Sequence, residues 1–100
     1  MGRRVLISEM ADDPEFGQMV KVFLDELPRR IAALQASRAA DELGSLTEQV
    51  HQLKGAAGGY GFPSITEAAG EVERQLRLGS PERRWRVSFA VLIELCSQAI

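Results

Sequence analysis

Apolar residues recur at steps of three and four along most of the chain, which is the pattern of amphipathic α-helices. The spacing predicts helices over residues 14–37, 41–60 and 63–79, and a fourth that starts after Ser80-Pro81. Four such helices joined by short turns, without an alternating strand pattern, predict an all-α antiparallel four-helix bundle of up-down-up-down topology. The residues expected to face the core are Phe16, Met19, Val20, Phe23, Leu24, Leu27, Ile31 and Leu34, then Leu43, Leu46, Val50, Leu53 and Ala57, then Ile65, Ala68, Ala69, Val72 and Leu76, and finally Trp85, Phe89, Leu92, Ile93 and Cys96.

Local signals place the ends of these helices. Asp12-Asp13-Pro14 is typical of an acidic cap before a first-turn proline, and Ser80-Pro81 is expected to cap the fourth helix. Pro28 removes one backbone hydrogen bond, so we expect a kink within one continuous first helix. Residues 1–12 are expected to form either a short extra helix across one end of the bundle or an arm. The whole chain, residues 1–100, is predicted to be a single domain.

Composition and charge narrow the classes of function. The net charge of −2 gives no electrostatic reason to bind nucleic acid, and three arginines in 83–86 around Trp85 are interpreted as a solvated helix face with one buried aromatic. A single cysteine, Cys96, excludes an internal disulfide, and a single histidine excludes a Cys/His zinc set, so no metal site is expected. No apolar stretch suits a membrane span or a signal peptide, and we expect a cytoplasmic protein.

The single histidine, His51, has an unusual setting on the second helix. At about 100° per residue, it lies roughly 100° around from the apolar stripe at Val50 and faces outward. Glycine inside a helix costs about 1 kcal/mol relative to alanine, so a surface rich in glycine suggests a flat area where a partner's backbone approaches the imidazole. The neighbours on this flank are Gly44, Thr47, Lys54, Gly55 and Gly58.

Lys54 lies three residues after His51 and therefore over the same patch of surface. Its charge disfavours a second positive charge on His51 and would lie near the oxygens of a phosphoryl group attached there. A neutral imidazole is itself a competent nucleophile. The residues alone leave a plainer interpretation open, in which His51 is an ordinary surface residue and the glycines of 58–61 only end the helix.

The segment HQLKGAAGGYG, residues 51–61, resembles the signature of histidine phosphotransfer (Hpt) domains. That signature is a histidine, any residue, Leu-Lys-Gly, two small residues and a glycine shortly after. The resemblance extends through the apolar positions Phe62, Ile65 and Ala69 and the pair Val72-Glu73. The chain departs from the common pattern at Ala56-Ala57, where serines are frequent, and at Phe62, which replaces a small residue, so the partner it selects stays open.

The resemblance implies a four-helix bundle that carries a phosphoryl group. By position, His51 resembles the family's phosphoacceptor and Lys54 the lysine beside it, while Gly55 and Gly58 resemble the small residues that let a receiver domain dock. Glu73 falls where related domains hold a residue that hydrogen-bonds the histidine, and its alternative is a solvated carboxylate. Such a domain accepts the group from a receiver aspartate or a kinase, including a hybrid sensor histidine kinase, and passes it to a response-regulator receiver.

The chain lacks a phosphate-binding loop ending in Lys-Ser/Thr and a compact acidic cluster for Mg²⁺. We therefore expect a phosphocarrier rather than an enzyme, with no cofactor of its own and with Mg²⁺ supplied by the partner receiver. The docking surface is expected on the exposed flanks of the first two helices, where Thr47 and Val22 are candidate contacts, although Val22 also suits a scattered exposed apolar residue. Two alternatives are the phosphoacceptor domain of a chemotaxis-type histidine kinase and a helical adaptor that is never phosphorylated.

Overall fold

The computed structural model describes residues 5–100, and four α-helices account for most of them. Helix α1 spans Gly17–Ala39, α2 spans Leu43–Gly59, α3 spans Pro63–Arg77 and α4 spans Glu82–Gln98. Each helix packs against the next one along the chain, and α4 returns to contact α1. Because short connections between packed helices make them antiparallel neighbours, the prediction of an all-α four-helix bundle is confirmed.

The core forms where the apolar stripes of the four helices meet. Phe23 of α1 packs on Tyr60 and Phe62 in the α2–α3 connection, with ring centroids 5.4 and 5.7 Å away. Trp85 and Phe89 of α4 meet edge to face at 6.1 Å. The buried apolar residues are Val20, Phe23, Leu27, Leu34, Leu46, Val50, Leu53, Ala57, Phe62, Ile65, Ala69, Val72, Trp85, Phe89, Leu92 and Cys96.

Three residues expected in the core are largely exposed instead. Phe16 is 41% exposed, Met19 46% and Leu43 43%. Phe16 immediately precedes α1, Met19 lies in its first turn, and Leu43 is the first residue of α2. An end turn has packing neighbours along only one direction of the helix axis, so the correct angular position does not by itself bury a side chain there.

The ends of the helices follow the sequence signals in part. The Asp13 carboxylate accepts hydrogen bonds from the N–H groups of Glu15 and Phe16, which are the contacts of a cap, in a turn that leads into α1 at Gly17. Helix α1 continues through Pro28 as one helix. The predicted serine cap of α4 is wrong, because the Ser80 hydroxyl donates to the Gln75 side chain, 2.7 Å away, and α4 starts without a side-chain cap.

In its described part, residues 5–12, the segment before α1 is neither an extra helix nor a loose arm. Residues 1–4 lie outside the described structure. The N–H of Leu6 donates to the Gln98 carbonyl at 2.8 Å, and the Leu6 carbonyl accepts from the N–H of Ile100 at 2.9 Å. Ser8 is buried, and its hydroxyl donates to the Tyr60 carbonyl. The segment therefore joins the residues around the end of α4 to the α2–α3 connection.

Gly61 allows this close approach in the α2–α3 connection. Its φ of +83° lies in the left-handed region that favours glycine, and an added Cβ would lie 2.6 Å from the Ser8 hydroxyl oxygen. The connection therefore needs glycine both for its backbone conformation and for space.

Among the described residues, none of the helices has the length and apolar character of a membrane span.

Candidate functional site

His51 lies in the middle of α2, and the buried Val50 next to it fixes how the helix is turned. Val50 shares the inward stripe with Leu46, Leu53 and Ala57, so the adjacent position points to the flank of the helix. The His51 side chain is 53% exposed. The inner edge of its imidazole faces α3, where Nδ1 lies 2.8 Å from Glu73 Oε2.

Glu73 is a buried charged residue of α3, with a side chain that is only 7% exposed. It lies four residues after the fully buried Ala69 and therefore on the same face of α3, which turns Glu73 towards the α2–α3 contact. Besides His51, the carboxylate binds Lys54 of α2 and Arg77 of α3. The one carboxylate is therefore the centre of a cluster of three basic side chains.

Hydrogen bonds hold Glu73 in its charged form. The bond from the Lys54 ammonium is the largest cause that lowers the pKa of Glu73 from 4.5 to about 2, although burial acts in the opposite direction. The bonds from Arg77 and His51 lower the pKa further. Glu73 is therefore ionised throughout the physiological pH range.

An ionised carboxylate fixes the proton on the imidazole. A carboxylate can only accept hydrogen bonds, so the His51 Nδ1 must carry a proton and donate it to Glu73 Oε2. In the neutral ring the other nitrogen, Nε2, then has a free lone pair. Nε2 lies on the opposite side of the ring from Glu73, on a side chain that is more than half exposed.

Lys54 reaches from α2 across to α3. Its ammonium lies 2.6 Å from Glu73 Oε1, and the side chain is 36% exposed. Along the way it passes Gly70, where an added Cβ would be 3.6 Å from the Lys54 Cδ. The lysine is therefore an ion-pair partner of Glu73 in this structure, and the cation retains access to solvent beside His51.

Arg77 is the member of the cluster that the sequence did not single out. Its Nε and Nη2 lie 2.8 and 2.7 Å from Glu73 Oε2, the oxygen that also accepts from His51. The available signal was the spacing of four residues from Glu73, which places the two side chains together on a helix. That spacing is common on any helix surface, and it gained significance only when Glu73 proved to contact His51.

Comparison with protein-family models gives a match that extends over all four helices. Residues 18–99 match the model of the Hpt domain. This chain belongs to the Hpt domain family. Searches of curated proteins and of solved structures gave no significant match. Hpt domains are phosphocarriers of phosphorelays and work with receiver domains and histidine kinases.

The residues expected to contact a receiver lie in different surroundings in this Hpt domain. Gly55 is exposed, and an added Cβ would meet nothing within 4 Å. At Gly58 an added Cβ would lie 3.3 Å from the Thr66 hydroxyl of α3, so this glycine also serves the close packing of two helices. The Thr47 hydroxyl donates to the Leu43 carbonyl of its own helix, 2.7 Å away. Gly55 is thus the open position of the three.

Val22 lies on α1, which contributes no residue to this cluster, and is 58% exposed. The hydrogen bonds and ion pairs that join His51, Lys54, Glu73 and Arg77 come from α2 and α3. This cluster of the Hpt domain therefore lies on the flank between α2 and α3, whereas Val22 is on a separate helix.

The described surface of this Hpt domain also has an apolar groove, and the described residues form no candidate metal site. The groove, of about 570 Å³, is lined by Arg38 of α1 and by residues of α4 that include Val87 and Val91, without a residue of α2 or α3. Within residues 5–100, no group of three or more His, Cys, Asp and Glu side chains is placed to hold a metal ion. His51 is exposed and lies outside that groove.

Proposed function

We propose that this Hpt domain carries a phosphoryl group on Nε2 of His51, accepting it from the aspartyl phosphate of a receiver domain, or from a kinase, and passing it to a receiver aspartate. The observation that carries the proposal is the hydrogen bond of 2.8 Å between His51 Nδ1 and the ionised Glu73. This hydrogen bond supports a proton on Nδ1 and a free lone pair on Nε2, on a side chain exposed enough to enter a partner's site.

The transfer is a displacement at phosphorus. The Nε2 lone pair forms the new N–P bond, the P–O bond to the receiver aspartate breaks, and the aspartate leaves as a carboxylate. In the neutral imidazole no proton has to leave Nε2, because the ring proton is on Nδ1. The imidazole gains positive charge as the bond forms, and the Glu73 carboxylate at Nδ1 is placed to stabilise that charge. Return to a receiver reverses the same steps.

The partner completes the site in this proposal. Phosphoryl transfer depends on alignment and on neutralisation of charge. Lys54 lies on the same flank and offers one cation. We propose that Mg²⁺ and its acidic pocket come from the receiver, because a phosphocarrier that enters that pocket needs no second metal. Gly55 keeps the approach over α2 open.

The test is incubation of the protein with phosphorylated receiver domains, followed by measurement of protein-bound phosphate that is labile in acid and stable in alkali. We expect such phosphate on the wild type and only background on His51→Gln. Because the chain has one histidine, the variant removes every histidine acceptor. Equal labelling of the two proteins, or no labelling with any receiver or kinase, contradicts the proposal and favours a helical adaptor.

A further inference from the structure

The cluster around Glu73 contains two permanent cations and one carboxylate. Lys54 binds Oε1 at 2.6 Å, whereas Arg77 binds Oε2 through two nitrogens at 2.7 and 2.8 Å. Before phosphorylation the cluster therefore holds one positive charge in excess. A phosphoryl group brings about one and a half to two negative charges.

Without Arg77, the remaining pair of Lys54 and Glu73 would be internally neutral. The phosphoryl group would then compete with the Glu73 carboxylate for the single lysine. A carboxylate that is 7% exposed keeps a cation strongly, because it has little water to replace the lost partner. Arg77 removes this conflict, since it stays on Oε2 when Lys54 leaves Oε1.

We propose that Arg77 is a positioning residue for phosphoryl transfer, which neutralises Glu73 and so releases Lys54 to contact the phosphoryl group on His51. This inference rests on the proposed function and extends it to a residue outside the family signature segment. Arg77 acts through Glu73, with both nitrogens on the oxygen that accepts from His51 Nδ1.

The neighbouring Arg74 provides a matched control on the same helix. Its side chain is 59% exposed and pairs with Glu71, while Arg77 is 56% exposed and pairs with Glu73. The two arginines thus share residue type, helix and exposure, and they differ in whether their carboxylate reaches His51. Replacement of either by glutamine removes one charge from α3.

The test uses phosphoramidate, a small phosphodonor that needs no docking surface. Its P–N bond breaks, ammonia leaves, and the new bond forms at Nε2 of His51. Initial rates of phosphohistidine formation, followed by ³¹P NMR, are compared for wild type, Arg77→Gln, Arg77→Lys, Arg74→Gln and Glu73→Gln, and for Arg77→Gln combined with Glu73→Gln. Thermal melts establish that each variant is folded.

We expect Arg77→Gln to slow phosphorylation about two- to fivefold, the size expected when a half-exposed ion pair is lost. Arg77→Lys should restore most of the rate, and Arg74→Gln should match wild type. In the Glu73→Gln background, Arg77→Gln should have no further effect, because Lys54 is then already released. A merely structural arginine would lower the melting temperature and leave the phosphorylation rate of the folded protein at the wild-type value.

Two results overturn the inference while leaving the proposed function intact. One is a wild-type rate for Arg77→Gln, and the other is the same fold-loss in the presence and absence of the Glu73 carboxylate. Failure of wild type to be phosphorylated at His51, by phosphoramidate and by receivers, overturns the proposed function itself. Labelling of wild type but not of His51→Gln separates the two cases.

Discussion

Glu73 is an ionised side chain in a nearly buried position, with 7% of its surface exposed. Burial of a carboxylate is unfavourable unless hydrogen bonds and opposite charges replace its water, and here Lys54, Arg77 and His51 provide them. The Lys54 bond is the main reason that its pKa is lowered to about 2. A lowered pKa means that the ionised group stabilises the fold above pH 4.5, and that this contribution is lost as the pH falls towards 2.

Replacement of Glu73 by glutamine should therefore destabilise the protein in a pH-dependent way. At pH 6 the variant should lose roughly 1 to 3 kcal/mol of unfolding free energy, and this difference should shrink between pH 5 and about 2, where wild type protonates. Urea unfolding at several pH values measures it. Glu71→Gln, at a carboxylate with 44% exposure, should show a smaller change, and a constant difference across the range would contradict the prediction.

At the scale of elements, the site depends on how closely α2 and α3 pack. Gly58 of α2 faces Thr66 of α3 at a distance where a methyl group would force a small shift, and Lys54 crosses to α3 past Gly70. Gly55, one turn after His51, faces open space instead. Glycines in one helix thus have two physical uses, one within the bundle and one at its surface.

Gly55→Ala should separate stability from docking. Alanine is the better helix former and meets no neighbour here, so the variant should gain about 0.5 to 1 kcal/mol in unfolding free energy. If Gly55 keeps the approach to His51 open, phosphorylation by a receiver should slow while phosphorylation by phosphoramidate stays at the wild-type rate. If the variant is phosphorylated at the wild-type rate by both donors, Gly55 is not part of the docking surface. Thermal melts measure the gain in stability.

At the scale of the whole molecule, the residues before α1 connect the two ends of the chain to the turn between α2 and α3. Leu6 pairs with Gln98 and Ile100, while the Ser8 hydroxyl accepts from the N–H of Met10 and donates to the Tyr60 carbonyl. These contacts lie on the turn that follows α2 rather than on His51 itself. We therefore expect these contacts to stabilise the bundle without affecting the reaction at His51.

Ser8→Ala should accordingly lower stability and leave the reaction intact. The change leaves a Tyr60 carbonyl and a Met10 N–H without their partner in a buried place, which costs about 1 to 3 kcal/mol. Urea unfolding measures the loss, and Ser45→Ala on the exposed start of α2 serves as control. Phosphorylation of His51 by phosphoramidate should proceed at the wild-type rate, and a loss of that rate would contradict this division of roles.

The sequence by itself determined the four helices, the central residues of their buried stripes and the position of His51 on α2. These features follow from the helical period, which acts locally, and from the signature around His51. The period failed at Phe16, Met19 and Leu43, because burial at a helix end depends on what another element places there. The cap expected from Ser80 failed for a similar reason, since Gln75 competes for its hydroxyl.

Only the tertiary structure decided which side chains surround His51. Glu73 and Arg77 lie more than twenty residues away in the chain, and the packing of α3 against α2 brings Glu73 to the imidazole with Arg77 bound to the same carboxylate oxygen. The same packing made Lys54 an ion-pair partner of Glu73, a contact that helix spacing alone cannot show. Local periodicity turns a residue towards a flank, whereas the charge on that flank and the proton on the imidazole depend on contacts between helices.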